Sequence, residues 1–139
     1  MDNRALNYLA LAKKGRLIEL GEEPVGAITR AVKGRLVIVA SDASDHTWRR
    51  AKSFVAGTDQ QCLRVPFTKE ELGFVVGRTS LAIAAFTDAA MALAFVKALP
   101  DQEKVKEVRE TLDTKSRKLR QRKDEAKAHE RNVRMGKKK

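Results

Sequence analysis

Five consecutive apolar residues, Leu36-Val37-Ile38-Val39-Ala40, constrain this chain more than any other stretch. A run so short and so rich in β-branched residues reads as a strand buried on both faces, because a helix of that length could neither nucleate nor hide every side chain. A strand hidden on two sides needs a covering layer above and below its sheet. The flanking sequence supplies those layers as helices alternating with further short strands.

Leu6, Leu9, Ala10 and Ala12 follow a helical period and predict a first helix over about residues 3–14, with Gly15 after Lys13-Lys14 as its stop. Arg16-Leu17-Ile18-Glu19-Leu20 reads as a short strand. Glu22 and Glu23 then complement the dipole of a second helix that Pro24 opens as its first residue, with Val25, Ile28 and Val32 facing inward and Gly34 ending it. After the central strand, Ser44 caps a third helix over 45–56, closed by Gly57. Residues 62–67 form a strand, Thr68-Lys69-Glu70-Glu71 is a capping box opening a fourth helix that ends at Gly73 to Gly77, residues 81–86 return as a strand, and 88–99 form a fifth helix before Pro100. The expected fold is therefore α/β, a three-layer α/β/α sandwich around a small mixed sheet, occupying residues 1–100.

Residues 101–139 differ in kind. No Gly or Pro occurs from Asp101 until Gly136, and acidic residues (Asp101, Glu103, Glu107, Glu110, Asp113) precede basic ones, which favours one long helix by complementing both ends of its dipole. Val105, Val108, Leu112 and Leu119 give it a thin apolar stripe suited to resting on the domain or on a partner. Fraying is expected beyond about residue 128, so this segment reads as a charged helical extension with a basic, partly disordered tail. Charge is concentrated there: residues 1–114 carry 17 Lys and Arg against 15 Asp and Glu, whereas 115–139 carry 12 against 3. A domain with so basic an arm suits a polyanionic partner, because each cation that pairs with a phosphate releases condensed counterions.

The motifs around the central strand resemble a known family. Ile38-Val39-Ala40-Ser41-Asp42-Ala43-Ser44-Asp45-His46-Thr47-Trp48-Arg49-Arg50, with Gly21-Glu22-Glu23 before it and Leu72-Gly73-Phe74-Val75-Val76-Gly77 after it, looks like the bacterial YlxQ branch of the ribosomal proteins that bind kink-turn RNA. The resemblance covers residues 4–99 and leaves the extension aside. It implies an RNA edge built from the start of the second helix, the loop after the central strand and the loop before the last strand. Ribosomal members open that helix with glycine, then Asn and Glu, then Lys one turn on; the pair falls here on Glu23 and Pro24, and the Lys on Ala27. Glu for Asn is shared with the YlxQ branch, and a carboxylate can accept from the N1 and N2 donors of guanine in a sheared G·A pair.

Arg30 shares a helix face with Glu23 and Ala27 and can supply the missing cation one turn on, with Lys33 beyond it. In the last loop, Arg78 offers a phosphate contact, and Thr79, Ser80 and Leu81 match positions that present small groups to an extruded nucleotide. The candidate RNA-binding residues are thus Gly21, Glu22, Glu23, Ala27, Arg30, Lys33, Arg78, Thr79, Ser80 and Leu81.

Catalytic signatures are missing: there is no phosphate loop ending in Gly-Lys-Ser/Thr, no nucleophile elbow and no dinucleotide fingerprint. The single cysteine, Cys62, sits in an apolar run and reads as a core residue, and His46 and His129 are too far apart in sequence to suggest a metal site. Met1-Asp2-Asn3-Arg4 leads into an amphipathic helix rather than a signal segment, and no apolar run approaches the ~18 residues of a membrane span. The expectation is a cytoplasmic, monomeric, non-catalytic protein without metal or cofactor, kept off the membrane. It is expected to bind structured, kink-turn-like RNA, ribosomal RNA above all. The alternative is a protein-interaction adaptor of the translation or transcription machinery with only nonspecific RNA affinity.

Overall fold

The computed structural model describes residues 4–136; residue 3 of the expected first helix and residues 137–139 of the expected tail lie outside the described residues. Four strands form one sheet: β1 (Ile18–Leu20), β2 (Leu36–Val39), β3 (Gln61–Arg64) and β4 (Ile83–Phe86), in the order β1-β4-β2-β3. β4 runs antiparallel to both neighbours, with Ile18 opposite Phe86 and Val37 opposite Ala85, while β2 and β3 are parallel. Every residue of β2 is buried, as its apolar run predicts.

Helices α2 (Glu22–Arg30) and α3 (Asp45–Val55) cover one face of the sheet. α1 (Arg4–Lys14), α4 (Lys69–Val75), α5 (Ala89–Lys97) and α6 (Lys106–Gly136) pack on the other side, completing the α/β/α sandwich. Local sequence sets most helix starts. Ser44 Oγ accepts from Thr47 N–H at 3.2 Å, Asp88 Oδ2 accepts from Met91 N–H at 2.9 Å, and Thr68 and Glu71 form both bonds of the expected capping box.

α1 ends at Lys14 as expected, whereas the bounds of α2 depart from the sequence reading. α1 closes in a Schellman arrangement, with Leu17 N–H donating to Ala12 at 2.8 Å and Arg16 N–H to Lys13 at 3.1 Å, so Arg16 (φ 58°), not Gly15, takes the left-handed position. α2 starts two residues before Pro24, which becomes its third residue and still sacrifices no bond, since Val25 is the first residue to donate back, to Gly21, at 3.0 Å. It also ends early. Lys33 N–H donates to Ile28 and Val32 N–H to Thr29, which puts Val32 in the left-handed region at φ 55° and leaves it half exposed instead of inward. Thr29 takes the inner position, its hydroxyl bonded to the carbonyl of Val25 at 2.8 Å.

The core continues past Pro100. Val105 and Leu112 belong to the same apolar cluster as β2 and α5, and Val108 packs against it. α6 begins at Lys106 rather than Asp101 because Gln102 folds back on the end of α5, its amide donating to the carbonyls of Val96, Lys97 and Leu99 and its oxygen accepting from Arg109 at 2.6 Å. With no Gly or Pro to break it, the helix runs on through the region where fraying was expected, and its residues 117–129 are exposed. No helix among the described residues is long and apolar enough to cross a membrane.

Replacing fully buried Leu112 with Ala should destabilise the whole domain by ~3 kcal/mol in denaturant titrations, the cost typical of a core cavity. A loss within error of zero would mean that α6 is not docked. Val32→Gly should instead raise stability by about 0.5–1 kcal/mol, because relief of a left-handed strain of about 1–2 kcal/mol exceeds the chain-entropy cost of glycine.

Candidate nucleic-acid interface

Strand direction decides which loops meet. β1, β2 and β3 point one way and β4 the other, so the segments after the first three strands and the segment before the fourth share one edge. Gly21, the Ser41–Ser44 turn, Pro66–Thr68 and Arg78–Ser80 therefore lie together. Open α/β sheets bind ligands at such an edge, where backbone groups are released from the ladder.

Gly21 anchors this edge. Its N–H donates to Ile83 at 3.0 Å, extending the β1–β4 pairing, and its φ of 96° turns the chain directly into α2. A side chain there would be strained, and its Cβ would stand 3.6 Å from Nη1 of Arg78. The start of α2 and the loop before β4 thus converge, with an arginine head group between them. Gly21 offers no side-chain cap, so the first N–H groups of α2 keep no side-chain acceptor. Glu22 and Glu23, in the first turn, are both exposed.

A second glycine seats the loop. Gly73 lies inside α4, and a Cβ on it would meet the carbonyl of Arg78 at 2.8 Å and the backbone of Ser80 at 2.8 and 2.9 Å. Only glycine lets the 78–80 backbone press so closely on the helix. Leu81 N–H completes the seat by donating to Lys69 at 2.9 Å. Thr79 and Ser80 stay exposed as expected, whereas Leu81 is 2% exposed and belongs to the core, because its side chain follows the loop inward. It is therefore no surface contact.

The remaining sequence candidates separate. Ala27 is exposed on the face that also carries Glu23. The Arg30 guanidinium lies back along Gly26, its Nη1 3.2 Å from where that residue's Cβ would be, on the side where Phe54 of α3 packs. Lys33 falls at the opposite edge of the sheet, beyond the strained Val32, because α2 carries the chain across the sheet's width.

Tertiary structure adds three residues that the sequence reading passed over. Lys13, from the end of α1, brings its ammonium to within 3.6 Å of a Cβ position on Gly77. Arg50 of α3 donates from Nε to Glu22 at 2.9 Å and stacks over Phe54 at 5.1 Å. Phe74 is 82% exposed on α4, one turn before Arg78. That exposure was readable: Leu72, Gly73 and Val76 define the inward face of α4, and Phe74 lies off it. Asp42 ties the loop after β2 to this edge by accepting from Lys69 N–H at 2.8 Å.

Cys62 is half-buried against the core, and burial pushes its thiol up to about 12, which keeps it protonated and unreactive at neutral pH. Next to it on the sheet, Arg64 stacks on Trp48 at 5.2 Å, with Nε and Nη2 buried and lacking a hydrogen-bond partner among the described residues. No group of three or more His, Cys, Asp or Glu that could hold a metal occurs among the described residues.

No protein-family model matches the chain, and no curated protein matches it significantly. Solved structures do. A protein of unknown function from Bacillus halodurans is 26% identical with a TM-score of 0.64, the match covering 70% of this chain and 98% of that one. The Giardia lamblia 15.5 kD RNA-binding protein is 18% identical with a TM-score of 0.50, covering 67% of this chain and 79% of that one. The chain shares the fold of these two proteins.

Proposed function

We propose that this is a non-catalytic RNA-binding protein that recognises structured, kink-turn-like RNA, ribosomal RNA being the expected target, at the edge formed by Gly21–Glu23 and Arg78–Ser80. The observation that carries this reading is the convergence of the α2 start and the 78–80 loop around the Arg78 guanidinium. The name of the Giardia protein with this fold, an RNA-binding protein, agrees with it.

The chemistry divides between base and backbone. Two carboxylates at the helix start oppose a phosphate there and suit the N–H donors of a guanine edge exposed by a distorted helix. Arg78, beside Gly21, and Lys13, beside Gly77, suit phosphates of the same RNA. Phe74 offers an exposed ring for stacking an unpaired base one turn from Arg78. Compared with the ribosomal pattern, Ala27 removes one cation and Arg78 and Lys13 stand in for it from other elements.

A titration of the full chain against a kink-turn duplex and a plain duplex of equal length tests the reading. The kink-turn duplex should bind at least tenfold tighter, a difference of about 1.4 kcal/mol. Glu23→Ala should erase most of that preference, while Arg78→Glu should weaken binding to the kink-turn duplex by about tenfold or more, as expected for a phosphate contact turned repulsive. Equal affinity of the wild-type protein for both duplexes overturns the specific reading. Absence of RNA binding at low salt returns the adaptor reading, for which the exposed Phe74 is the natural anchor.

A further inference from the structure

A second basic surface lies away from the edge just described. At the opposite edge, where β2 and β3 begin, a groove of about 600 Å³ runs between α6 and the turn after α2. Arg35, Lys115, Lys118 and Arg122 line it, with Asp59 as its one carboxylate. Lys115 neutralises that acid directly, its ammonium 3.1 Å from Oδ1, and holds the Asp59 carboxyl below its ordinary range. Lys118 and Arg122 have no ion-pair partner among the described residues.

Ala89, Thr111, Thr114 and two large apolar side chains complete the groove's lining. Val32 and Leu119 are 50% and 37% exposed, and they are two of the four large hydrophobics exposed among the described residues. Val32 is also held in the left-handed conformation, which a β-branched residue adopts only at a cost. Lys115, Lys118 and Arg122 recur at i, i+3 and i+7 on one face of α6, spanning about 10 Å at the helical rise. Exposed Lys33 adjoins the same edge.

From this arrangement we infer that the groove is a second seat for the RNA backbone, facing away from the first, so that one molecule holds two RNA segments at once. α2 alone separates the two edges by about 13 Å, nine residues at the helical rise. The groove's one carboxylate, Asp59, is already paired with Lys115. The groove's cations and apolar wall suit phosphates and riboses without regard to sequence. The inference rests on the RNA reading of the first edge only for the bridging step; the groove as a duplex-binding surface stands apart from it.

The test uses the full chain at low salt, with an immobilised kink-turn hairpin and a fluorescent plain duplex, and the mass of each complex is measured. Wild-type protein should capture the plain duplex on the immobilised hairpin with one protein copy per complex. Lys118→Glu/Arg122→Glu, both surface positions, should abolish that capture, keep hairpin affinity within about twofold, and reduce the slope of log K against log salt for the plain duplex by about 2. Loss of hairpin affinity to the same extent would show one continuous surface and overturn the inference. Unchanged capture, or a bridged complex containing two protein copies, would do so too. If the hairpin is not preferred over the duplex, the reading of the first edge fails by itself. The groove is then judged by plain-duplex stoichiometry, expected to be one duplex fewer per molecule in the double variant than in the wild type, with the same number in both overturning it.

Discussion

The antiparallel pairing of β2 with β4 is the constraint on which the rest of the molecule depends. β2 is apolar throughout and buried on both faces, so it must be central. β4, reached only after α3, β3 and α4, returns beside it in the opposite direction, with Leu36 against Phe86 and Val39 against Ile83. That reversal brings the loop before β4 to the same edge as the segment after β1. Had β4 run parallel to its neighbours, Arg78 would stand at the far end of the sheet from Gly21.

The pairing also explains the unusual closeness of the 78–80 loop to α4. The chain leaves α4 through Gly77, turns within a few residues and must place Leu81 in the core before β4 begins. Gly73 makes room for that turn, and the Lys69 carbonyl accepts its last N–H. The 78–80 backbone is thereby held directly against α4.

Charge is distributed with the same economy of elements. Acidic residues crown the start of α2 while basic ones gather along α6, and the sheet lies between them. α6 stays close because its first half is part of the core: Val105 and Leu112 are buried, and Gln102 and Arg109 lock its approach to α5. The basic arm is therefore a docked helix that carries its cations past the domain, and the groove it forms with Val32 and Arg35 exists only because of that docking.

Much of this was legible in the sequence. The buried strand announced itself by unbroken apolarity, the helix starts by Ser44, Thr68-Glu71 and Asp88, and the basic arm by its composition, because each of these signals is local. The end of α1 at Lys14 was legible, but α2 stops at Arg30, short of Gly34, with Val32 in the left-handed position. The site was legible in part. Gly21, Glu22, Glu23, Arg78, Thr79 and Ser80 do meet at one edge, but Leu81 went to the core, Lys33 to the other edge and Arg30 against Gly26. Lys13 and Arg50 could not be found at all, because they reach the site from α1 and α3 across distances that no local pattern encodes. The sequence by itself determined which segments are strands and helices and where the charge lies, through hydrophobic periodicity and capping. Only the tertiary structure decided which of those charges share one edge of the sheet, because that depends on strand direction.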